Sequence, residues 1–235
     1  MEEKGKTETI AQLSYEDKFE LIEKIKDLDS LSGKEIRILD ALSYDKDQTI
    51  RSEVAETLEN FNSTEAKKIL LRLLNDKSGL VRAVTCDSFR FSGSVKILNL
   101  LVKRMINDKC PLVRGYAASS IADIIININE TRESYIEFFE RFLNTEKDKW
   151  VKINIYRSLY ILGAISYLQK LIQELNSRSY KNRVAVVNIL YEIYSEDNQE
   201  QIVKTLTERL EIEKTVAVKS VIDEVLSIIK ADDSS

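Results

Sequence analysis

The sequence predicts an all-α protein, a right-handed α-solenoid in which about six helix pairs stack in a row. Three observations predict this class: a short motif that returns at regular intervals, a helical spacing of apolar residues after each copy, and a scarcity of helix-breaking residues. The 235 residues include only six Gly and one Pro, whereas average usage would give roughly sixteen and twelve. Long stretches can therefore be helical, and hairpin turns must be few.

Six copies of a seven-residue motif recur along the chain. Each copy has an acid or Ser, then Lys or Arg, three variable positions, usually an aliphatic residue, and finally Arg or Lys. The copies occupy 45–51, 76–82, 108–114, 146–152, 177–183 and 213–219. Their last residues are 31, 32, 38, 31 and 36 residues apart. Such a period is typical of stacked repeats, each of which is one supersecondary unit.

A helical pattern follows each motif. The apolar residues after the first copy fall at i, i+4, i+5 and i+8, which is one face of a helix; they are Ile50, Val54, Ala55 and Leu58. The same places after the next two copies hold Val81, Thr85, Cys86 and Phe89, and then Val113, Ala117, Ala118 and Ile121. The acid or Ser at the head of each motif suits the start of a helix, where exposed N–H groups need acceptors.

Each unit also contains another amphipathic helix, which lies between two motifs. We predict these helices at 63–75, 94–107, 134–144, 165–176 and 199–212. The expected organisation is one repeat domain over 1–235: capping helices within 1–44 (about 8–28 and 33–44), six repeat units over 45–230, and a disordered tail at 231–235. The long third interval leaves open whether 127–134 is a functional insertion or a longer loop.

The motif resembles the HEAT repeat. An acid, an aliphatic–basic pair at the start of the second helix, then small residues and Leu are the features that carry the resemblance, and the units resemble the short HEAT-like variety first known from phycobilin lyases. The resemblance covers roughly 33–230. It implies that the motif's acidic and basic residues form a structural ladder between adjacent units. It implies little about function, because HEAT arrays have many functions.

Composition argues against catalysis. The chain has no histidine, which removes the commonest general base at neutral pH and most catalytic zinc sites. Six scattered glycines cannot supply a phosphate-binding loop. Cys86 and Cys110 fit neither a disulfide framework nor a zinc motif, and we interpret them as reduced thiols. We expect no catalytic residue, metal or cofactor. Alkylated-base DNA glycosylases of similar repeat type carry several tryptophans, whereas Trp150 is the only Trp here.

In a HEAT-like unit the helix that begins in the motif is the second helix of the pair. The side of this helix that faces away from the core is the expected binding surface, because solenoids bind on their concave side. Helical geometry projects acidic, aromatic and amide residues there. The candidate partner-binding residues are Glu53, Glu56, Asp87, Phe91, Tyr116, Asp123, Arg157, Asn188 and Glu192. An acidic groove with a few aromatic anchors suits a basic protein partner.

The leading hypothesis is therefore a non-catalytic scaffold that binds another protein. A narrower hypothesis is an immunity or antitoxin-type inhibitor that covers a basic toxin. Two alternatives stay open: a nucleic-acid-binding or DNA-repair protein, which the net charge of −4 disfavours, and an accessory protein like a bilin lyase. No apolar run is long enough to span a membrane, and no signal peptide is visible, so we expect a cytoplasmic protein without a membrane partner.

Overall fold

A computed structural model describes residues 10, 12–91 and 94–232 of the chain. These residues form thirteen α-helices and no strand. In chain order α1 to α13 are Tyr15–Lys26, Gly33–Leu42, Gln48–Glu59, Thr64–Leu73, Gly79–Asp87, Val95–Asn107, Pro111–Ile128, Arg132–Leu143, Lys149–Ile161, Tyr167–Glu174, Tyr180–Glu192, Gln199–Ile212 and Val216–Asp232. The predicted all-α solenoid class is confirmed.

Local sequence fixes where several helices begin. Ser32 and Glu35 form a capping box at the start of α2, an arrangement in which two backbone N–H groups gain acceptors. Asp47 and Asp148 cap α3 and α9 by accepting from backbone N–H groups of the first turn. Pro111 occupies the first turn of α7, where its missing N–H costs nothing. The second helices therefore start inside the motifs, as the sequence predicts.

The chain divides into two compact units, Met1–Glu130 and Thr131–Ser235. In the first unit α1, α3, α5 and α7 pack side by side in that order, and α2, α4 and α6 lie against them. In the second unit α9, α11 and α13 pack in the same way beside α8, α10 and α12. Helices α2 to α13 make six pairs, in each of which the helix that precedes a motif packs against the helix that begins in it.

The core of the first unit is built from the predicted apolar positions. The three sets of four residues that follow the first three motifs are all at most 1% exposed. Small residues recur among them, as in Ala55 and the pair Ala117 and Ala118, so the second helices of neighbouring repeats can approach closely. The predicted helical face is confirmed at every one of these positions.

Two predicted boundaries differ from the structure. Most of the segment 127–134 is helical and only 129–131 form a loop: α7 has 18 residues and is capped by Asn129, which has the left-handed φ of 54° that often terminates helices, and α8 begins at Arg132. The tail predicted at 231–235 is wrong for its first two residues, because α13 continues through Asp232. Residues 233–235, and 1–9 and 11 around the predicted first helix, lie outside the described part.

Candidate protein-binding face

The first and last positions of the motif form a ladder of buried ion pairs. Arg51 donates from Nε and Nη2 to the two carboxylate oxygens of Asp76 at 2.7 and 2.8 Å. Arg82 holds Asp108 in the same way at 2.8 and 2.7 Å. In the second unit Arg183 holds Glu213 at 2.8 and 3.0 Å. Each pair joins the last residue of one motif to the first residue of the next, so these residues stabilise the stack.

The same groups also close the joint between the two helices of a repeat. Arg82 Nη1 donates to the backbone oxygens of Asp76 and Lys77 in its own motif. One carboxylate oxygen of Asp108 accepts from the backbone N–H of Cys110 at the start of α7. Lys18 of α1 takes the place of the arginine for the first motif, with its Nζ 2.7 Å from Asp45. The ladder therefore begins at α1.

The ladder changes the pKa values of its carboxylates. Burial alone would raise the pKa of Asp76, Asp108 and Glu213, but the guanidinium groups and backbone N–H groups that they accept from lower it below the ordinary range. Hydrogen bonding to the charged form therefore outweighs desolvation at these sites. These carboxylates are internal structural groups and are not available to a partner.

A separate set of carboxylates lies on the outward side of α1 and of the second helices α3, α5 and α7 in the first unit. We call it the acidic face and define it by Glu23, Glu53, Glu56, Glu59, Asp87 and Asp123. Two cations lie among them: Lys26 contacts Glu56 at 2.7 Å, and Arg90 contacts Asp123 at 3.2 Å. Six carboxylates against two cations give this face a negative charge.

Crowding on the acidic face is visible in its pKa values. Burial raises the pKa of Glu53, and neighbouring Glu56 raises it further. Burial likewise raises the pKa of Glu59, with Asp87 adding to it. Nearby Lys26 and Arg90 only partly offset these effects. Half-buried carboxylates that repel one another destabilise the folded chain, and such groups are candidates for a functional site.

Two aromatic side chains accompany these acids. Phe91 is 65% exposed, and the guanidinium of Arg90 lies 5.3 Å from the centre of its ring. Tyr116 of α7 is half-buried, and burial followed by the charge of Asp87 raises the pKa of its hydroxyl. The structure thus brings together six of the predicted residues: Glu53, Glu56, Asp87, Phe91, Tyr116 and Asp123.

The three remaining predicted residues lie in the second unit and differ in exposure. Asn188 and Glu192 are exposed on α11. The expectation that Arg157 points outward is wrong, because this residue is only 4% exposed. Its Nε and Nη2 donate to the carboxylate of Glu192 at 2.8 and 2.5 Å. The ion pair ties α9 to α11 and fixes the arginine inside the helix layer.

The sequence analysis missed Glu59 and Glu23. Glu59 lies three residues after Glu56, and residues at this spacing share a helix face, so the spacing could have identified it. Glu23 lies on α1, which carries no copy of the motif, and only the packing of α1 against α3 brings it near Glu53. No sequence signal pointed to that neighbour.

The described residues offer neither a metal site nor a membrane-spanning helix. Among them no group of three or more cysteine or carboxylate side chains is arranged to hold a metal ion. No helix formed by these residues has the length and apolar character needed to cross a membrane.

Comparisons with known proteins bear on the fold. Residues 37–122 match the protein-family model described as HEAT repeats. The complex of CpcE and CpcF of phycocyanin lyase from Nostoc sp. PCC7120 is similar with a TM-score of 0.58 and 16% identity, over 94% of this chain and 92% of that chain. Human deoxyhypusine hydroxylase in complex with glycerol is similar with a TM-score of 0.49 and 15% identity, over 93% and 82%. No curated protein sequence matches the chain.

The family match confirms the predicted HEAT-type repeats over residues 37–122, and the likeness to the first of these structures confirms the predicted solenoid fold. The chain is therefore an all-α solenoid in which residues 37–122 match HEAT repeats. At 16% identity the likeness to the lyase complex concerns the fold alone.

Proposed function

We propose that the protein is a non-catalytic binding module whose acidic face holds a basic protein partner. The observation that carries the proposal is the crowding of half-buried carboxylates around Glu53, Glu59 and Asp87, which raises the pKa of both glutamates. A cationic partner would relieve this repulsion. Complementary charge also speeds association and selects against acidic competitors.

Phe91 supplies the apolar part of such an interface. Its ring is 65% exposed, and aromatic anchors surrounded by polar groups are typical of energetically important interface residues. Arg90 lies over the ring and pairs with Asp123, which restrains the neighbourhood of the anchor before binding. The proposed interface therefore combines one aromatic anchor with a field of negative charge.

A narrower version of this function is an inhibitor that covers a basic toxin. Such an inhibitor needs fast capture and tight electrostatic complementarity, and the acidic face would provide both. The bilin-lyase alternative gains only a likeness of fold from the comparison with phycocyanin lyase. Identifying the retained partner separates these cases.

The test is an affinity capture from the lysate of the source cell, followed by mass spectrometry. The native chain is compared with a triple variant, Glu53→Gln, Glu59→Gln and Asp87→Asn, which removes the crowded charges with little change in shape. We expect a basic protein to be retained by the native chain and lost from the variant. Equal retention by both chains would refute the role of the acidic face.

A matched control removes three exposed carboxylates elsewhere: Asp29→Asn, Glu65→Gln and Glu208→Gln. The control has the same net charge as the test variant, so it separates a local effect from a general one. We expect it to retain the partner. Cooperative thermal unfolding of all three chains checks that none has lost its fold.

A further inference from the structure

The second position of the motif carries a cation in all six copies. These residues are Lys46, Lys77, Lys109, Lys147, Arg178 and Lys214. All six are exposed. Within the part of the chain that the structure describes, none of their side chains forms an ion pair with another residue. The ladder uses backbone groups at this position, as at Lys77 and Lys214. The charge of Lys77 makes only the smallest of the contributions that lower the pKa of Asp76, so side-chain contacts within the fold do not explain why a cation recurs in all six copies.

In the first unit the ladder brings three of these cations to one edge. The pairs Arg51–Asp76 and Arg82–Asp108 join each motif to the next, so Lys46, Lys77 and Lys109 follow one another along the stack. Adjacent packed helices are about 8–10 Å apart, which gives roughly that spacing between successive cations. We call these three lysines the basic edge.

The anions near the basic edge are already engaged. Asp76 and Asp108 have side chains only 11% and 3% exposed and are held by arginines. Asp47 accepts from the backbone at the start of α3. That hydrogen bond leaves the charge of Asp47 in place, so the three lysines outnumber one carboxylate and still present an excess of positive charge to solvent, even though the whole chain carries −4.

Exposed aliphatic side chains accompany the lysines. Leu80 and Ile106 are 38% and 48% exposed, and each lies within three residues of Lys77 or Lys109. The second unit has the same combination on its own motifs, where Lys214 lies between Ile212 and Val216, which are 65% and 81% exposed. Cations interspersed with apolar side chains are typical of surfaces that adsorb to membranes.

We propose that the basic edge adsorbs the protein to an anionic lipid surface. The choice of cation supports lipid over other polyanions. Five of the six residues are Lys, a hydrated and flexible point charge, whereas Arg suits bidentate recognition; Lys is also depleted in protein–protein interfaces. Aliphatic side chains gain nothing from a nucleic-acid backbone but can enter the headgroup region. The expectation of no membrane partner rested on the lack of a spanning segment and does not bear on adsorption.

The test is co-sedimentation of the full chain with vesicles at low salt. One set of vesicles is phosphatidylcholine alone, and the other contains phosphatidylglycerol as well. We expect binding to the anionic vesicles only, and its loss at high salt because the Debye length shrinks to about 3 Å at 1 M. Each lysine near such a surface contributes about fivefold to partitioning. The variant Lys46→Gln, Lys77→Gln, Lys109→Gln should therefore partition roughly 100-fold more weakly.

The matched control is Lys34→Gln, Lys68→Gln, Lys96→Gln, which removes three exposed lysines from the first helices α2, α4 and α6. It has the same net charge as the test variant, and we expect it to partition like the native chain. A further variant, Leu80→Ser with Ile106→Ser, should weaken binding at low salt without changing the net charge, because it removes the apolar contribution.

Three results would overturn the proposal. One is an absence of binding to the anionic vesicles by the native chain. Another is an equal loss of vesicle binding in the test and control variants, which would show that only the net charge of the chain matters. The third is binding of single-stranded DNA that the test variant abolishes while the vesicles are not bound, which would assign the basic edge to nucleic acid. None of these results depends on the acidic face.

Discussion

At the scale of single residues, the seven-residue motif divides its positions between two roles. The first and last positions form buried ion pairs, such as Arg82 with Asp108. The second position is exposed and forms no ion pair with any described residue, as at Lys77. The acid or Ser at the first position and the cation at the second position both recur along the chain, but for different physical reasons. Substitutions at the two positions should differ accordingly in their effect on stability.

Replacing Asp108 by Ala should destabilise the chain by about 3–5 kcal/mol, because it leaves the guanidinium of Arg82 buried without its partner. The change also removes the acceptor for the N–H of Cys110. Lys77→Ala should change the free energy of unfolding by less than about 0.5 kcal/mol. Chemical denaturation of the two variants measures both values. A small effect of Asp108→Ala would show that the ladder is not a main source of stability.

Local patterns in the sequence explain why much of the fold, but less of the site, was predictable. The burial of Ile50, Val54 and Leu58 follows from helical spacing, which is a property of neighbouring residues. The burial of Arg157 depends on Glu192, which lies 35 residues away. Periodicity contains no information about such a contact. Glu23 was not predicted for the same reason, because only the packing of α1 against α3 brings it to the acidic face.

At the scale of helices, one close approach lies where the second helices α5 and α7 begin. A Cβ atom added at Gly79 would lie 2.8 Å from Sγ and 3.1 Å from Cβ of Cys110. Gly79 starts α5 and Cys110 caps α7. The contact therefore sets how near the two helices can approach, and the absence of a side chain at Gly79 is a requirement of packing.

Gly79→Ala should cost about 1–3 kcal/mol through this overlap. Adding Cys110→Ala removes the sulfur and should recover part of the loss, so the two changes should be non-additive. Gly33→Ala is the matched control, because its nearest neighbour would be a flexible Arg37 side chain at an ordinary 3.5 Å. Thermal or urea unfolding of the four variants gives the coupling. Strict additivity would contradict the proposed overlap.

At the scale of the whole molecule, two classes of carboxylate should give opposite responses to pH. The ladder carboxylates Asp76, Asp108 and Glu213 have lowered pKa values. Their contribution to stability is present above the ordinary carboxylate pKa of about 4 and is lost as the pH falls through their lower folded-state values. Glu53 and Glu59 have raised pKa values, so their protonation on acidification relieves repulsion.

Stability should therefore rise slightly between neutral pH and about pH 5 and then fall below about pH 4. Urea unfolding at several pH values measures this profile. The double variant Glu53→Gln, Glu59→Gln should lose the rise and keep the fall, because it leaves the ladder intact. A profile of the double variant identical to that of the native chain would contradict the assigned repulsion on the acidic face.

The most direct test of the proposed function is the affinity of the captured partner for variants of the acidic face. Isothermal titration calorimetry would compare the native chain, the Glu53→Gln, Glu59→Gln, Asp87→Asn variant, Phe91→Ala, and the Asp29→Asn, Glu65→Gln, Glu208→Gln control. We predict that the triple variant binds at least about tenfold more weakly with a reduced dependence on salt, that Phe91→Ala costs about 2 kcal/mol, and that the control binds like the native chain. Native-like affinity of both the triple variant and Phe91→Ala would contradict the proposal.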